Sequence, residues 1–241
     1  FAPEKIYEGA AKVRMDTSIP YIITPDGMLI EYYNHELTEI MGNVEDISNG
    51  TSSTLIITKD GDLYVMGKND YGQLGLGSKD NDVHREPIYI TSGVKCVAAG
   101  GATSYFVTED GTLYGCGINY QFQISENECE YVPEFVEIMD NVYDISATGS
   151  GLLILSEDNC LYMRGSNDTC VDESMIGSNW TQAQNTKIAS GVISVCGAAG
   201  YGIMMKEDGK LYSWGRNDRG DLGCGSEGYY VAPTEIKFDD R

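Results

Sequence analysis

Apolar residues in this chain fall in short runs of strand length, separated by turns that carry Asp and Gly. Thr54-Leu55-Ile56-Ile57-Thr58 precedes Asp60-Gly61 and Leu63-Tyr64-Val65-Met66 follows it; Tyr105-Phe106-Val107-Thr108 and Leu113-Tyr114-Gly115-Cys116 flank Asp110-Gly111 in the same way. Two β-rich runs joined by Asp-Gly predict a hairpin with a type I′ turn, in which both central residues take positive φ.

The hairpin signal recurs. Its anchor reads Asp60-Gly61-Asp62-Leu63-Tyr64, Asp110-Gly111-Thr112-Leu113-Tyr114, Asp158-Asn159-Cys160-Leu161-Tyr162 and Asp208-Gly209-Lys210-Leu211-Tyr212, with a shorter copy at Asp26-Gly27-Met28-Leu29. The intervals are 34, 50, 48 and 50 residues. Upstream lie the strands Val94-Lys95-Cys96-Val97-Ala98-Ala99-Gly100, Val142-Tyr143-Asp144-Ile145-Ser146-Ala147 and Val192 through Gly200, and before these the openings at Pro87, Pro133 and Pro233. Downstream lie the Gly-rich turns Gly67 to Gly75 and Gly215 to Gly223. Four strands per repeat of about fifty residues is the arithmetic of a propeller blade. The small residues Ala98, Ala99, Ala198 and Ala199 fit innermost strands that converge on an axis. The predicted fold is therefore an all-β propeller of four-stranded blades in a single domain, residues 1–241. Its units are approximately 3–35, 36–86, 87–132, 133–183 and 184–232, with a strand at 233–241. Either five blades close the ring, or the chain is part of a larger one.

The combination of Val97-Ala98-Ala99-Gly100-Gly101-Ala102-Thr103-Ser104 with Thr108 to Tyr114, and of Tyr212-Ser213-Trp214-Gly215-Arg216-Asn217 with Gly220-Asp221-Leu222-Gly223, resembles the repeat of the regulator of chromosome condensation family. The resemblance runs over nearly the whole chain. It implies a propeller, usually of seven blades, that presents loops to protein partners, and it brings two regulatory alternatives. One is guanine-nucleotide exchange on a small GTPase; the other is inhibition of an enzyme such as a β-lactamase by a secreted member. The sequence also departs from the family pattern. A His often found seven residues before the hairpin Asp is replaced by Ser53, Thr103, Gly151 and Tyr201. The Gly-rich turn reads as degraded at Tyr120-Gln121-Phe122-Gln123-Ile124 and at Asn167 to Val171, and is absent from the first unit.

Charge narrows the partners. Against 37 Asp and Glu stand 16 Lys and Arg, a net charge of −21. Such a chain lacks the basic stripe needed to replace counterions on nucleic-acid phosphates, and the same deficit argues against anionic lipid. No apolar run approaches the length of a membrane helix. With 29 Gly and only 6 Pro, the composition suits many tight turns. A chain opening on Phe1 reads as a processed product, a trimmed chain or an excerpt of a longer one; processing points to secretion or the cell surface, whereas an odd number of cysteines, 7, points to a reducing, cytoplasmic setting.

Candidate chemistry is sparse. His35 and His84 fall in different units with no zinc-type spacing beside either, and no catalytic residue, cofactor or metal site is expected. Asp80-Asn81-Asp82 and the Glu126, Glu128, Glu130 cluster lack the alternation of a calcium loop and read as solvated acidic loops. Cys96 and Cys196 read as small core residues at one phase of the repeat. Cys160 and Cys170 are placed to bridge in an exported protein, and Cys116, Cys129 and Cys224 read as free thiols.

A binding surface remains. Of 17 Tyr, those at Tyr64, Tyr114, Tyr162 and Tyr212 repeat in every unit and are assigned to packing between blades. Tyr71, Tyr120, Tyr201, Tyr229 and Tyr230, with Phe122 and Trp180, sit at turns and are the expected partner-binding residues. The expected function is a non-enzymatic protein-binding scaffold that uses the loops at 67–82, 117–131, 165–182 and 215–230. An acidic rim around aromatic anchors favours a partner with a basic surface.

Overall fold

The computed structural model describes residues 5–15, 19–166, 181–225 and 227–238, without the side chains of residues 181–183, 229 and 231. Among the described residues the chain forms five four-stranded sheets, each an antiparallel meander in chain order. The first contains β1 (Lys12–Met15), β2 (Pro20–Ile23), β3 (Leu29–Tyr33) and β4 (Glu36–Met41). The second contains β5 (Val44–Asn49), β6 (Ser53–Thr58), β7 (Leu63–Lys68) and β8 (Val83–Thr91). The third is β9 (Val94–Ala99), β10 (Thr103–Thr108), β11 (Leu113–Ile118) and β12 (Tyr131–Met139). The fourth is β13 (Val142–Ala147), β14 (Gly151–Ser156), β15 (Cys160–Ser166) and β16 (Thr181–Ser190). The fifth is β17 (Val192–Ala198), β18 (Tyr201–Lys206), β19 (Leu211–Arg216) and β20 (Tyr229–Glu235). The sheets are cut at a different phase from the sequence units: the strand containing Pro87 pairs with β7, as the outer strand of the second sheet.

The hairpin tips use a different turn from the predicted one. Gly61 and Gly111 have φ of 79° and 87°, yet Asp60 and Asp110 do not take positive φ. At the first of these tips the Gly61 N–H donates to the Thr58 carbonyl at 3.0 Å and the Thr58 N–H donates to the Asp62 carbonyl at 3.0 Å. This is a type I turn followed by one left-handed residue. A type I′ pair does occur, at Asn34-His35 between β3 and β4, with φ of 50° and 65°. A hydroxyl locks three of the tips: Thr108 Oγ1 donates to Asp110 Oδ1 at 2.5 Å and accepts from the Thr112 N–H at 3.1 Å. Thr24 with Asp26 and Ser156 with Asp158 repeat the contact. In each case the hydroxyl is the leading cause that holds the carboxyl below its ordinary range.

Neighbouring sheets pack in succession through apolar clusters. Leu29 and Tyr21 meet Ile47, Ile56 and Met66; Leu55 and Leu63 meet Val94 and Phe106; Tyr105 and Leu113 meet Ile145 and Leu152; Leu153 and Leu161 meet Val195 and Trp214. Each buried aliphatic or aromatic side chain here contributes about 1.5–3 kcal/mol of transfer free energy. Tyr64, Tyr114, Tyr162 and Tyr212 pack against these four clusters, as their repetition predicts. On the fifth sheet Met205 is half-buried, whereas its counterparts Val107 and Leu155 are fully buried.

The axis is lined by small residues. Asn49 to Thr51, Ala99 to Gly101, Ala147 to Gly149, Ala198 and Ala199, with Met15, line an open depression of about 360 Å³. Ala98 does not join them; it is 5 % exposed and buried in the core. Cys96 and Cys196 also differ from expectation. Cys96 pairs with Val107, but Cys196 pairs with Ile203, the counterpart of Tyr105. Cys196 therefore occupies the phase of Ala98 and is exposed. Aligning the units on their Ala-Ala-Gly ending conceals this offset of two residues.

Candidate functional site

In a meander blade the turns after the first strand and the loops after the third share one end of the propeller, opposite the Asp-Gly hairpins. On this loop face three of the long connections fold alike. Each begins with a buried Asn: Asn69, Asn119 and Asn217 are at most 2 % exposed. Its side-chain oxygen accepts the N–H of an apolar residue five positions on, from Leu74 at 3.2 Å, Ile124 at 2.9 Å and Leu222 at 2.9 Å. Those three side chains plug the loop into the core.

The supposedly degraded turn in the third unit has the same geometry. The Phe122 N–H donates to the Asn119 carbonyl at 3.0 Å, as Gly72 does to Asn69 at 3.1 Å and Gly220 to Asn217 at 3.2 Å. Phe122 has φ of 56° where Gly72 has 74° and Gly220 has 77°. A left-handed conformation at an aromatic residue is a genuine outlier and costs about 1–3 kcal/mol. Gln73 and Gln123, both buried, stiffen the loops further by accepting the N–H groups of Tyr71 at 2.9 Å and Gln121 at 3.0 Å.

The first of these loops also grips the next blade. The Gly77 N–H donates to the Pro133 carbonyl at 3.0 Å, and Lys79 lies 4.4 Å from the centre of the Tyr131 ring. Gly75, at φ 68°, leaves no room for a side chain, since a Cβ there would meet the Phe135 ring at 2.3 Å. Asp80 is drawn inward: Asn69 Nδ2 donates to it at 2.8 Å and His84 Nε2 lies 3.1 Å away. Asn69, and after it His84, hold its carboxyl below the ordinary range. Among the described residues no group of three or more His, Cys, Asp or Glu is placed to hold a metal ion.

Several of the expected partner-binding aromatics meet here. Tyr71 and Tyr120 line a cleft of about 500 Å³ with Thr51, Ser52, Gly101 and Gln121. Tyr120 also walls a second cleft of about 370 Å³ with Phe122, Asn119, Glu128, Cys129 and Glu130. Tyr71 is 36 % and Tyr120 55 % exposed, and Phe122 is half-buried. Tyr201 and Tyr230 belong to a different part of the face, each the register partner of Gly215 on the fifth sheet. Tyr229 is the register partner of Arg216. Trp180 and Cys170 lie outside the described residues. Sequence reading passed over Asn119, Gln73 and Gln123, although an Asn two residues after the next-to-last residue of the third strand, a Gly, with an apolar residue five further on, marks all three loops.

This fold defines a β-propeller that displays pinned loops at one end. A sequence model of the regulator of chromosome condensation (RCC1) repeat matches residues 60–107 and 208–241, and a second model of that repeat matches 44–73 and 94–123. The ultraviolet-B receptor UVR8 of Arabidopsis thaliana is 29 % identical over 82 % of this chain, and the regulator of chromosome condensation of Xenopus laevis is 27 % identical over 69 %. The chain spans 47 % and 41 % of the lengths of these two relatives. Among solved structures, human WBSCR16 superposes with a TM-score of 0.84 at 18 % identity, covering 95 % of this chain and 67 % of that one. Yeast RCC1 (Prp20), solved with Kap60, gives 0.82 at 20 % identity, covering 95 % and 61 %. Between them the two models show similarity to the regulator of chromosome condensation repeat over residues 44–123 and 208–241.

Proposed function

We propose that this propeller is a non-catalytic docking module that engages a protein partner through its loop face, centred on Tyr71 and Tyr120. The observation that carries the reading is the pairing of rigidity with exposure. Both tyrosines stand on loops whose backbones are fixed by buried Asn and Gln side chains, yet both remain open to solvent around one cleft. Rigid, exposed aromatics lose little entropy on binding and anchor protein interfaces. Structures of the yeast relative support this reading: one holds Kap60, and the other was described with that protein's binding to Gsp1p and histones.

The test is to isolate partners with the unmodified chain and repeat the isolation with Tyr71→Ala and Tyr120→Ala. Loss of the same partners from both variants, with thermal stability unchanged, supports the reading; retention of every partner overturns it. Nucleotide release from a panel of small GTPases, measured with the same proteins, tests the exchange activity of the family's regulatory side. Acceleration of release would replace passive docking with exchange.

A further inference from the structure

Resting on the loop-face reading, we propose that the cleft between Tyr120 and Phe122 is a receptor for a single cationic side chain, an Arg or Lys carried on a basic segment of the partner. Three observations converge there. The cleft holds about 370 Å³ and is walled by two aromatic side chains and two carboxylates, Glu128 and Glu130. Among the described residues neither carboxylate has an ion-pair partner, and no Lys or Arg lines the cleft. The nearby cation Lys79 is held over Tyr131 instead. A cation entering between ring faces and carboxylates gains from both, and more so when the site is partly desolvated.

The third observation concerns Phe122. The same loop in the second and fifth sheets has Gly at this position, at φ of 74° and 77°. Folding the loop thus does not need Phe, and the aromatic ring is kept on a backbone that disfavours it. Strain of this kind collects where a side chain serves binding. Asn119 fixes the cleft from below by donating through Nδ2 to the carbonyls of Ser125 at 3.2 Å and Asn127 at 3.1 Å, and to Cys129 Sγ at 3.3 Å.

The probe is a short fluorescein-labelled peptide of alternating Arg and Gly, compared with the same peptide bearing Gln for Arg. Fluorescence anisotropy is read on the full chain at physiological salt. The Arg peptide is expected to bind and the Gln peptide not. Tyr120→Ala and Phe122→Gly, which leave the charge untouched, should each weaken binding by about tenfold. Glu128→Gln with Glu130→Gln should do the same, while Glu109→Gln with Glu157→Gln on the hairpin face should change it by less than about twofold. Phe122→Gly should keep its Tm within roughly 3 °C, because relief of backbone strain offsets the lost contacts. Bound peptide should slow alkylation of the exposed Cys129 and leave the exposed Cys196 unaffected.

No binding of the Arg peptide, binding that follows total charge wherever it is removed, or indifference to Tyr120→Ala and Phe122→Gly would each overturn the proposal. If those outcomes occur while Tyr71→Ala still releases the natural partner, the cationic receptor fails and the docking face stands.

Discussion

Ser48 on the innermost strand of the second sheet accepts a hydrogen bond of 2.9 Å from the backbone N–H of Ala99 on the innermost strand of the third. Ser146 accepts the equivalent bond from Gly197, also at 2.9 Å, between the fourth and fifth sheets. Between the third and fourth the serine position is occupied by Ala98. These bonds hold blade to blade next to the axis, and so fix the spacing of the loops that each blade presents.

Removing either hydroxyl leaves a backbone N–H without its acceptor. Ser48→Ala and Ser146→Ala should each lower unfolding free energy by about 1–2 kcal/mol. Ala98→Ser, placed to supply the missing bond, should be neutral or stabilising by up to about 1 kcal/mol. Urea denaturation of the three variants checks this.

The loop face depends on close approach as well as hydrogen bonding. Gly75→Ala must drive a methyl into the Phe135 ring at positive φ, and should destabilise by about 2–4 kcal/mol. Gly220→Ala has a φ of 77° and nothing within 4 Å of the added carbon. It should therefore show the backbone penalty alone, about 1–2 kcal/mol. Equal effects in the two variants, measured by denaturation, would refute the docking of the first loop on the third sheet.

The hairpin tips carry a pH signature. In the folded chain Asp110 titrates below its ordinary 3.8, chiefly because Thr108 Oγ1 donates to it. A depressed folded value adds stability that is complete above the unfolded value and disappears as pH falls through the folded one. Thr108→Val should therefore lose stability at neutral pH, and the part of that loss owed to Asp110 should disappear as pH falls through its depressed folded value, leaving the loss of the bond from the Thr112 N–H. Denaturation midpoints across this range, each variant compared with the parent at the same pH, separate this tip from the general relief of repulsion as 37 carboxylates protonate.

Thiol reactivity should divide by burial. Cys116 is fully buried and donates to the Gln73 carbonyl at 3.4 Å, and burial pushes its thiol up. Cys96 is pushed up to about 12, first by burial and then by the nearby Asp144 charge. Cys129 and Cys196 are exposed. A thiol reagent at neutral pH should modify Cys129 and Cys196 in the folded chain, and Cys96 and Cys116 only on unfolding, as read by peptide mass spectrometry.

The repeat was legible because its signals are local: an Asp-Gly tip and a Leu-Tyr strand are set by the chemistry of a few adjacent residues. The phase of Cys196 was not, since a two-residue offset between strand start and Ala-Ala-Gly ending appears only once register is known. The third loop was misread for a physical reason. Its turn needs a left-handed residue, which sequence reading expects to be Gly, and Phe122 supplies it instead, held by the hydrogen bonds of Asn119 and Gln123. Tyr71 and Tyr120 were found as turn aromatics. Their shared cleft depends on two loops fifty residues apart, which no local pattern reveals.

The most direct test of the docking face is site-specific photocrosslinking. A photoreactive phenylalanine placed at Tyr71 or Tyr120 on one face, or at Asp62 or Glu157 on the other, reports which end of the propeller a partner touches. Adducts with the same protein from positions 71 and 120, and none from 62 and 157, are the expected result. Adducts from the hairpin face alone, or equally from both faces, would contradict the account.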